Sequence, residues 1–188
     1  MHRRLWLASG SRYRRELLER LRLPFKWQAP ELDESRLKQE SPQALASRLA
    51  LAKAYAIAQL HPSDLVIGSD QVCALGDQTL SKPKSLEAQA FQLAELSAQT
   101  VIFYTAVAIV CIEAEVEKQH VDITRCIFRE LQGVEISNYV AAESAIDCAG
   151  GFKCEGLGIS LLERLYNEDP TALIGLPLIW VARTLRSI

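Results

Sequence analysis

The 188-residue chain has almost no net charge, no closely paired cysteines and no long apolar run, and each absence removes a class of protein. Lys and Arg number 21 against 23 Asp and Glu, a formal charge of −2 at pH 7. That balance offers no overall attraction to polyanions, which disfavours a nucleic-acid coat protein or a polybasic membrane binder. The five cysteines (Cys73, Cys111, Cys126, Cys148 and Cys154) are odd in number and include no CxxC pair. Neither a disulfide framework nor a zinc site is expected from them. His2, His61 and His120 lack mutual metal-ligand spacing, and nothing visible activates a Cys-His nucleophile. The longest apolar stretch, Thr105 to Ile112, has the length of a strand and falls far short of the ~20 residues a membrane helix needs. Met1-His2-Arg3-Arg4 is followed by only five apolar or small residues before Gly10, too few for a signal-peptide core. With 49% hydrophobic residues, no repeat and no Pro/Ser-rich linker, the expectation is a cytoplasmic, reduced, globular protein with one domain over residues 1–188.

The pattern of what is present reads as alternating strands and helices. Leu5-Trp6-Leu7-Ala8 is a short strand ending in Ser9-Gly10-Ser11, and Leu17, Leu18 and Leu21 mark an amphipathic helix between Arg12 and Leu23. Phe25 to Ala29 reads as a strand before the acidic loop Glu31-Leu32-Asp33-Glu34. Ser41-Pro42 opens a helix whose core stripe is expected at Leu45, Leu49, Ala52, Ala56 and Leu60. Leu65 to Gly68 is a buried strand continuing to Leu75, with a turn at Gly76-Asp77. Ser85 caps a helix from Leu86 to Leu96, and Val101 to Cys111 and Val116 to Arg129 are long β segments. Gly133 to Ala142 and Leu178 to Leu185 are helical, and the glycine-rich stretch Cys148 to Gly158 is loop. The class is α/β with a mixed sheet.

Four features could carry chemistry. Ser9-Gly10-Ser11 precedes the helix bearing Arg14 and Arg15, so backbone N–H groups, two hydroxyls and a guanidinium could form an anion site; alternatively, Ser11 only caps the helix. It is not a Walker A loop, because GxxxxGK[ST] is absent. Asp70 ends a buried strand in Gly68-Ser69-Asp70-Gln71, where a carboxylate can bind a divalent cation, take a proton from water, or simply form a turn. Lys53 lies in an apolar stretch, where an inward ammonium needs a partner and an outward one snorkels to water. Lys82, beside Pro83, is either a site cation or ordinary surface. Finally, Ala149 to Gly158 holds four glycines in ten residues without a GxGxxG pattern, and Glu155 within it could meet a ligand edge or stand in solvent.

The order of these blocks resembles the Maf family of nucleoside triphosphate pyrophosphatases, also called septum-formation inhibitor-like proteins. The matching stretches are Leu7-Ala8-Ser9-Gly10-Ser11 with Arg14 to Leu18, Asp33-Glu34, Ala52-Lys53-Ala54, Gly68-Ser69-Asp70, Lys82-Pro83, and Ala149-Gly150 through Gly175-Leu176-Pro177-Leu178. Tyr13, Gln71 after Asp70, and Phe152-Lys153-Cys154-Glu155-Gly156 further resemble the branch that hydrolyses 7-methyl-GTP. The resemblance implies an elongated mixed sheet of the Maf/inosine triphosphate pyrophosphatase kind with flanking helices, two lobes around a central cleft, and a homodimer. It implies Asp70 as proton acceptor, Tyr13, Gln71 and Glu155 as selectors of substrate, and Ser9, Ser11, Arg14, Lys53 and Lys82 as substrate-binding residues. Glu34 and Asp70 would hold a divalent cation, Mg²⁺ or Mn²⁺. The chain departs from the family pattern at Arg12, where proline is usual, at Ser81 before Lys82-Pro83, and at Cys154. Rival expectations are a pyrophosphatase of the same family acting on dTTP or UTP, and a nucleotide-binding regulator of septum formation.

Overall fold

The computed structural model describes residues 3–188; the reading of the extreme N-terminus at Met1 and His2 lies outside them. Three parallel strands form one half of a mixed sheet: β1 (Leu5–Ala8) lies between β2 (Phe25–Gln28) and β3 (Leu65–Leu75). The other half is antiparallel. β3 pairs with β5 (Thr100–Cys111), β5 with β6 (Val116–Phe128) and β6 with β7 (Leu162–Tyr166), while β4 (Gln78–Leu80) folds back on the end of β3. The strand order is β2-β1-β3-β5-β6-β7, so the mixed α/β class expected from the sequence holds.

Helices cover the sheet where the sequence gives them apolar faces. α1 (Arg12–Glu19) buries Leu17 and Leu18 beside Leu7, Ile67 and Ile109, and α5 (Leu178–Leu185) adds Leu178 and Val181 to that cluster. Farther along the sheet, a second core gathers Phe103, Phe128 and Phe152 with Leu93 and Leu96 of α3 (Leu86–Leu96) and Ile136 and Tyr139 of α4 (Gly133–Ala142). The boundaries of α3, α4 and α5 coincide with those expected.

α2 (Pro42–Ala58) differs from expectation in the face it buries. Leu45 and Leu49 are buried, but Ala52 and Ala56 are only half-buried and Leu60, beyond the helix end, is exposed. The helix turns Ala46, Ala50, Ala54 and Ala58 to the sheet instead, because four small side chains let two backbones approach closely. A Cβ at Gly68 would lie 2.2 Å from the Ala50 carbonyl oxygen, so glycine alone permits that contact. The same rotation carries Lys53 to the buried face. α1 also ends at Glu19 rather than continuing to Leu23, because Arg22 takes a positive φ of 54° that stops helical propagation.

Candidate active site

Where the parallel and antiparallel halves meet, the fold leaves a cleft of about 980 Å³. All ten residues that the sequence nominated line it: Ser9, Ser11, Tyr13, Arg14, Glu34, Lys53, Asp70, Gln71, Lys82 and Glu155. They come from the end of β1, the first turn of α1, the loop before α2, the middle of α2 and β3, the loop after β4, and the glycine-rich loop.

The charged centre is a three-member cluster. Lys53 Nζ lies 2.6 Å from Asp70 Oδ1 and 2.8 Å from Glu34 Oε1. Lys53 and Asp70 are both buried, so the inward reading of the lysine is the correct one and its partner is the strand carboxylate. Pairing offsets the cost of burying each charge, which neither side chain could bear alone. Asp70 Oδ2 has no protein partner among the described residues. The Glu34 loop is itself tied down: Glu40 receives Arg48 Nε at 2.7 Å and Nη2 at 2.9 Å, Arg48 also reaches the Ser35 carbonyl at 2.9 Å, and Arg36 Nη1 donates to the Asp77 carbonyl at 3.1 Å.

Arg14 rises from α1 beside this cluster. Ser11 caps the helix, its Oγ accepting from the Arg14 N–H at 3.4 Å, and Ser9 Oγ accepts both the Ser11 N–H at 3.1 Å and Arg14 Nη1 at 3.4 Å. The capping and anion-site readings of Ser9-Gly10-Ser11 are therefore compatible. Burial lowers the affinity of the Arg14 guanidinium for its proton, and Asp70 and Glu34 oppose that effect. Lys82 is exposed and makes no ion pair among the described residues.

A strap between β7 and α5 completes this wall; the sequence had marked only its end, Gly175-Leu176-Pro177, and not the Asp169 turn that shapes it. Asp169 is buried; it accepts from the Thr171 N–H at 2.9 Å and hydroxyl at 2.6 Å, and from the Ile179 N–H at 2.6 Å. The strap so held turns its carbonyls to the site. Gly175 O accepts from Arg14 Nε at 2.9 Å and from Ser69 Oγ at 3.0 Å, at a φ of 129° that favours glycine. Gln71 Nε2 donates to the carbonyls of Ala172 at 3.0 Å and Leu173 at 2.9 Å and lies 2.9 Å from Thr105 Oγ1. The Gln71 amide nitrogen is thus occupied within the protein, leaving its carbonyl oxygen for a ligand. Asp169-Pro170-Thr171 is the one signal that could have revealed the strap, since an aspartate accepting from the N–H two residues on builds a local turn.

The opposite wall is the glycine-rich loop, tethered by two side chains from outside it. Gln89 Nε2 donates to the carbonyls of Glu143 at 3.2 Å and Gly151 at 3.1 Å, and Glu143 Oε2 accepts from the Gly158 N–H at 3.2 Å. Asp147 and Cys148 join the cleft lining here, and Tyr13 Oη donates to Asp147 Oδ2 at 3.2 Å. Burial pushes the Cys148 thiol up to about 11, so it stays protonated and is a poor nucleophile.

No group of three or more His, Cys, Asp and Glu residues suited to a metal ion occurs among the described residues. Glu34 and Asp70 nevertheless converge on one cation, the Lys53 ammonium, so their oxygens are placed to share a charge. Two carboxylates completed by substrate phosphates suit Mg²⁺, which rarely takes an all-protein cage. The donor set fits a hard divalent ion.

An α/β sheet with a cation-rich cleft at the junction of its two halves defines the architecture, and comparison with known proteins gives the family. The family model described as Maf-like protein matches residues 4–188, and the chain belongs to that family. It is 50% identical over 185 residues to a 7-methyl-GTP pyrophosphatase of Polaromonas sp., covering 98% of this chain and 84% of that protein. A protein of the same name from Xanthomonas axonopodis pv. citri is 53% identical, covering 97% of this chain and 95% of its own length. Another, from Albidiferax ferrireducens, is 48% identical and covers 100% and 94%.

Proposed function

We propose that this protein is a nucleoside triphosphate pyrophosphatase that hydrolyses 7-methyl-GTP to 7-methyl-GMP and diphosphate, clearing modified nucleotides. The observation that carries this reading is the convergence, in one cleft, of a buried lysine–carboxylate cluster with the Arg14 guanidinium on one wall and an aromatic–acidic surface on the other. Relatives of about 50% identity bear the name of that activity.

In this mechanism the triphosphate lies along Ser9, Ser11, Arg14, Lys53 and Lys82, whose donors and positive charge screen the phosphate oxygens from the incoming water. Asp70 takes the proton of that water through Oδ2, the oxygen that Lys53 leaves free. The water oxygen bonds to the α-phosphorus, the bond from that phosphorus to the α,β-bridging oxygen breaks, and diphosphate leaves with the electron pair. Lys53 and Lys82 stabilise the leaving charge. Mg²⁺ or Mn²⁺, held by Glu34 and Asp70, would supply further neutralisation of the phosphates. On the other wall, Tyr13 offers an electron-rich ring to the cationic methylated purine, and Glu155 accepts from guanine N1–H and the exocyclic amine. Gln71 acts chiefly by bracing the strap, with its carbonyl oxygen facing the ligand. The proposal includes a homodimer working in the cytoplasm, supported by family resemblance; among the described residues no helix is long and apolar enough to cross a membrane.

Diphosphate release from 7-methyl-GTP, GTP, dTTP, UTP and CTP, with Mg²⁺ or Mn²⁺, tests the reading. Preference for 7-methyl-GTP, with kcat reduced about 10³-fold in Asp70→Asn, is expected. Preference for dTTP or UTP would overturn the substrate, and no release by the wild-type chain would overturn the reaction.

A further inference from the structure

Within the glycine-rich wall, Asp147 stands beside Tyr13 without an ion-pair partner among the described residues, and Glu155 likewise has none. Both carboxylates line the cleft. Lys153 Nζ lies 5.9 Å from the Tyr13 ring centroid; it donates to the Ser144 carbonyl at 2.6 Å and does not line the cleft. The one guanidinium that lines this end, Arg12, is ion-paired to Glu16 at 2.6 Å, so what the site presents to a ligand without an ion-pair partner is one aromatic ring and two carboxylates.

We propose that Asp147 is a specificity-determining residue, favouring a positively charged purine over a neutral one through the hydrogen bond it accepts from Tyr13. The inference rests on the proposed substrate and adds to it a residue, and a physical basis for telling a methylated base from an ordinary one. A tyrosine ring attracts a cation less strongly than a tryptophan ring does. Donating its O–H to a carboxylate moves electron density toward the phenol ring, which makes its face more negative. Burial first, then Cys148 and Asp147, hold the Tyr13 phenol above its ordinary value, so it remains a donor at neutral pH. The Asp147 charge also attracts the methylated base directly, whereas unmodified guanine offers no full charge for either effect to act upon. Binding to the phosphates is common to both nucleotides, so Asp147 acts on the difference between them.

The test is calorimetric binding of 7-methyl-GMP and GMP, two ligands that are not turned over, to the wild-type chain, Asp147→Asn, Tyr13→Phe and the double variant. Asparagine keeps the shape and an acceptor oxygen while removing the charge. The ratio of the two dissociation constants should fall about tenfold in Asp147→Asn, the scale of one charge or a cation–π contact at a half-open site. Tyr13→Phe should reduce the ratio less, and its effect should shrink when Asp147 is already asparagine. An unchanged ratio in a variant with wild-type melting behaviour overturns the proposal. Equal weakening of both ligands also overturns it, because that is the signature of a displaced loop. Full multiplication of the two single effects refutes the coupling through Tyr13. If the wild-type chain itself does not distinguish the two ligands, the 7-methyl-GTP reading falls and takes the role of Asp147 with it; discrimination that survives Asp147→Asn removes only Asp147.

Discussion

On one wall of the cleft, Ser9, Lys53 and Asp70 are all at most 7% exposed, and hydrogen bonds or ion pairs hold each in place. On the other, Asp147 and Glu155 stand in solvent on a loop whose backbone is tethered by Gln89 and Glu143. The first wall is built on strands and helices, closed by a hydrogen-bonded strap, and can hold phosphate-binding groups without reorganising when a transition state forms. The second presents Asp147 and Glu155 from an irregular segment that can change composition without disturbing the core, and Tyr13 reaches it from the first turn of α1. Chemistry and choice of base are thereby assigned to regions of different rigidity.

The largest effect that can test this contrast is on stability. Lys53→Met leaves the Asp70 carboxylate buried without its partner, and urea unfolding should show a loss of about 3 kcal/mol. Glu155→Gln, at the exposed wall, should change stability by no more than about 0.5 kcal/mol. Comparable losses would erase the distinction.

A smaller effect concerns the loop that carries Glu34. The Arg48 hydrogen bonds hold the Glu40 carboxyl at about 2, below its usual 4.5. Because the folded value is depressed, its stabilising contribution is complete above about 4.5 and is lost as pH falls toward 2. NMR titration should show Glu40 returning toward its ordinary value in Arg48→Gln, with faster amide exchange at Leu37, whose N–H donates to Glu40. An unshifted Glu40 would mean that the Glu34 loop is held by Arg36 and backbone contacts instead.

Much of this contrast is legible in the sequence because its blocks are local. Ser85, Gly133 and Leu178 each begin a helix whose limits follow from caps and apolar spacing. Asp70 is conspicuous as a carboxylate in an apolar strand run, although it lies in the middle of β3 rather than at its end as expected. The direction of Lys53 was not legible, since a helix rich in alanine has apolar residues on every side; Gly68, in the next element along the chain, decides which face packs. β4 has three residues and β7 reads Leu-Glu-Arg-Leu-Tyr at a sheet edge, so neither displays the alternation that identifies a strand. The Asp169 strap has no periodicity, because its order comes from a local Asp169 turn and from hydrogen bonds made across long sequence separations to Arg14, Ser69 and Gln71.

The most direct measurement is a side-by-side determination of kcat and KM on 7-methyl-GTP and GTP for Arg14→Lys and Glu155→Gln. Arg14→Lys should lower kcat on both nucleotides by a similar factor of about 10², as expected on losing one preorganised charged donor. Glu155→Gln should instead reduce the preference for 7-methyl-GTP about tenfold, through KM more than through kcat. A loss of preference in Arg14→Lys with unchanged preference in Glu155→Gln would contradict the assignment of the two walls.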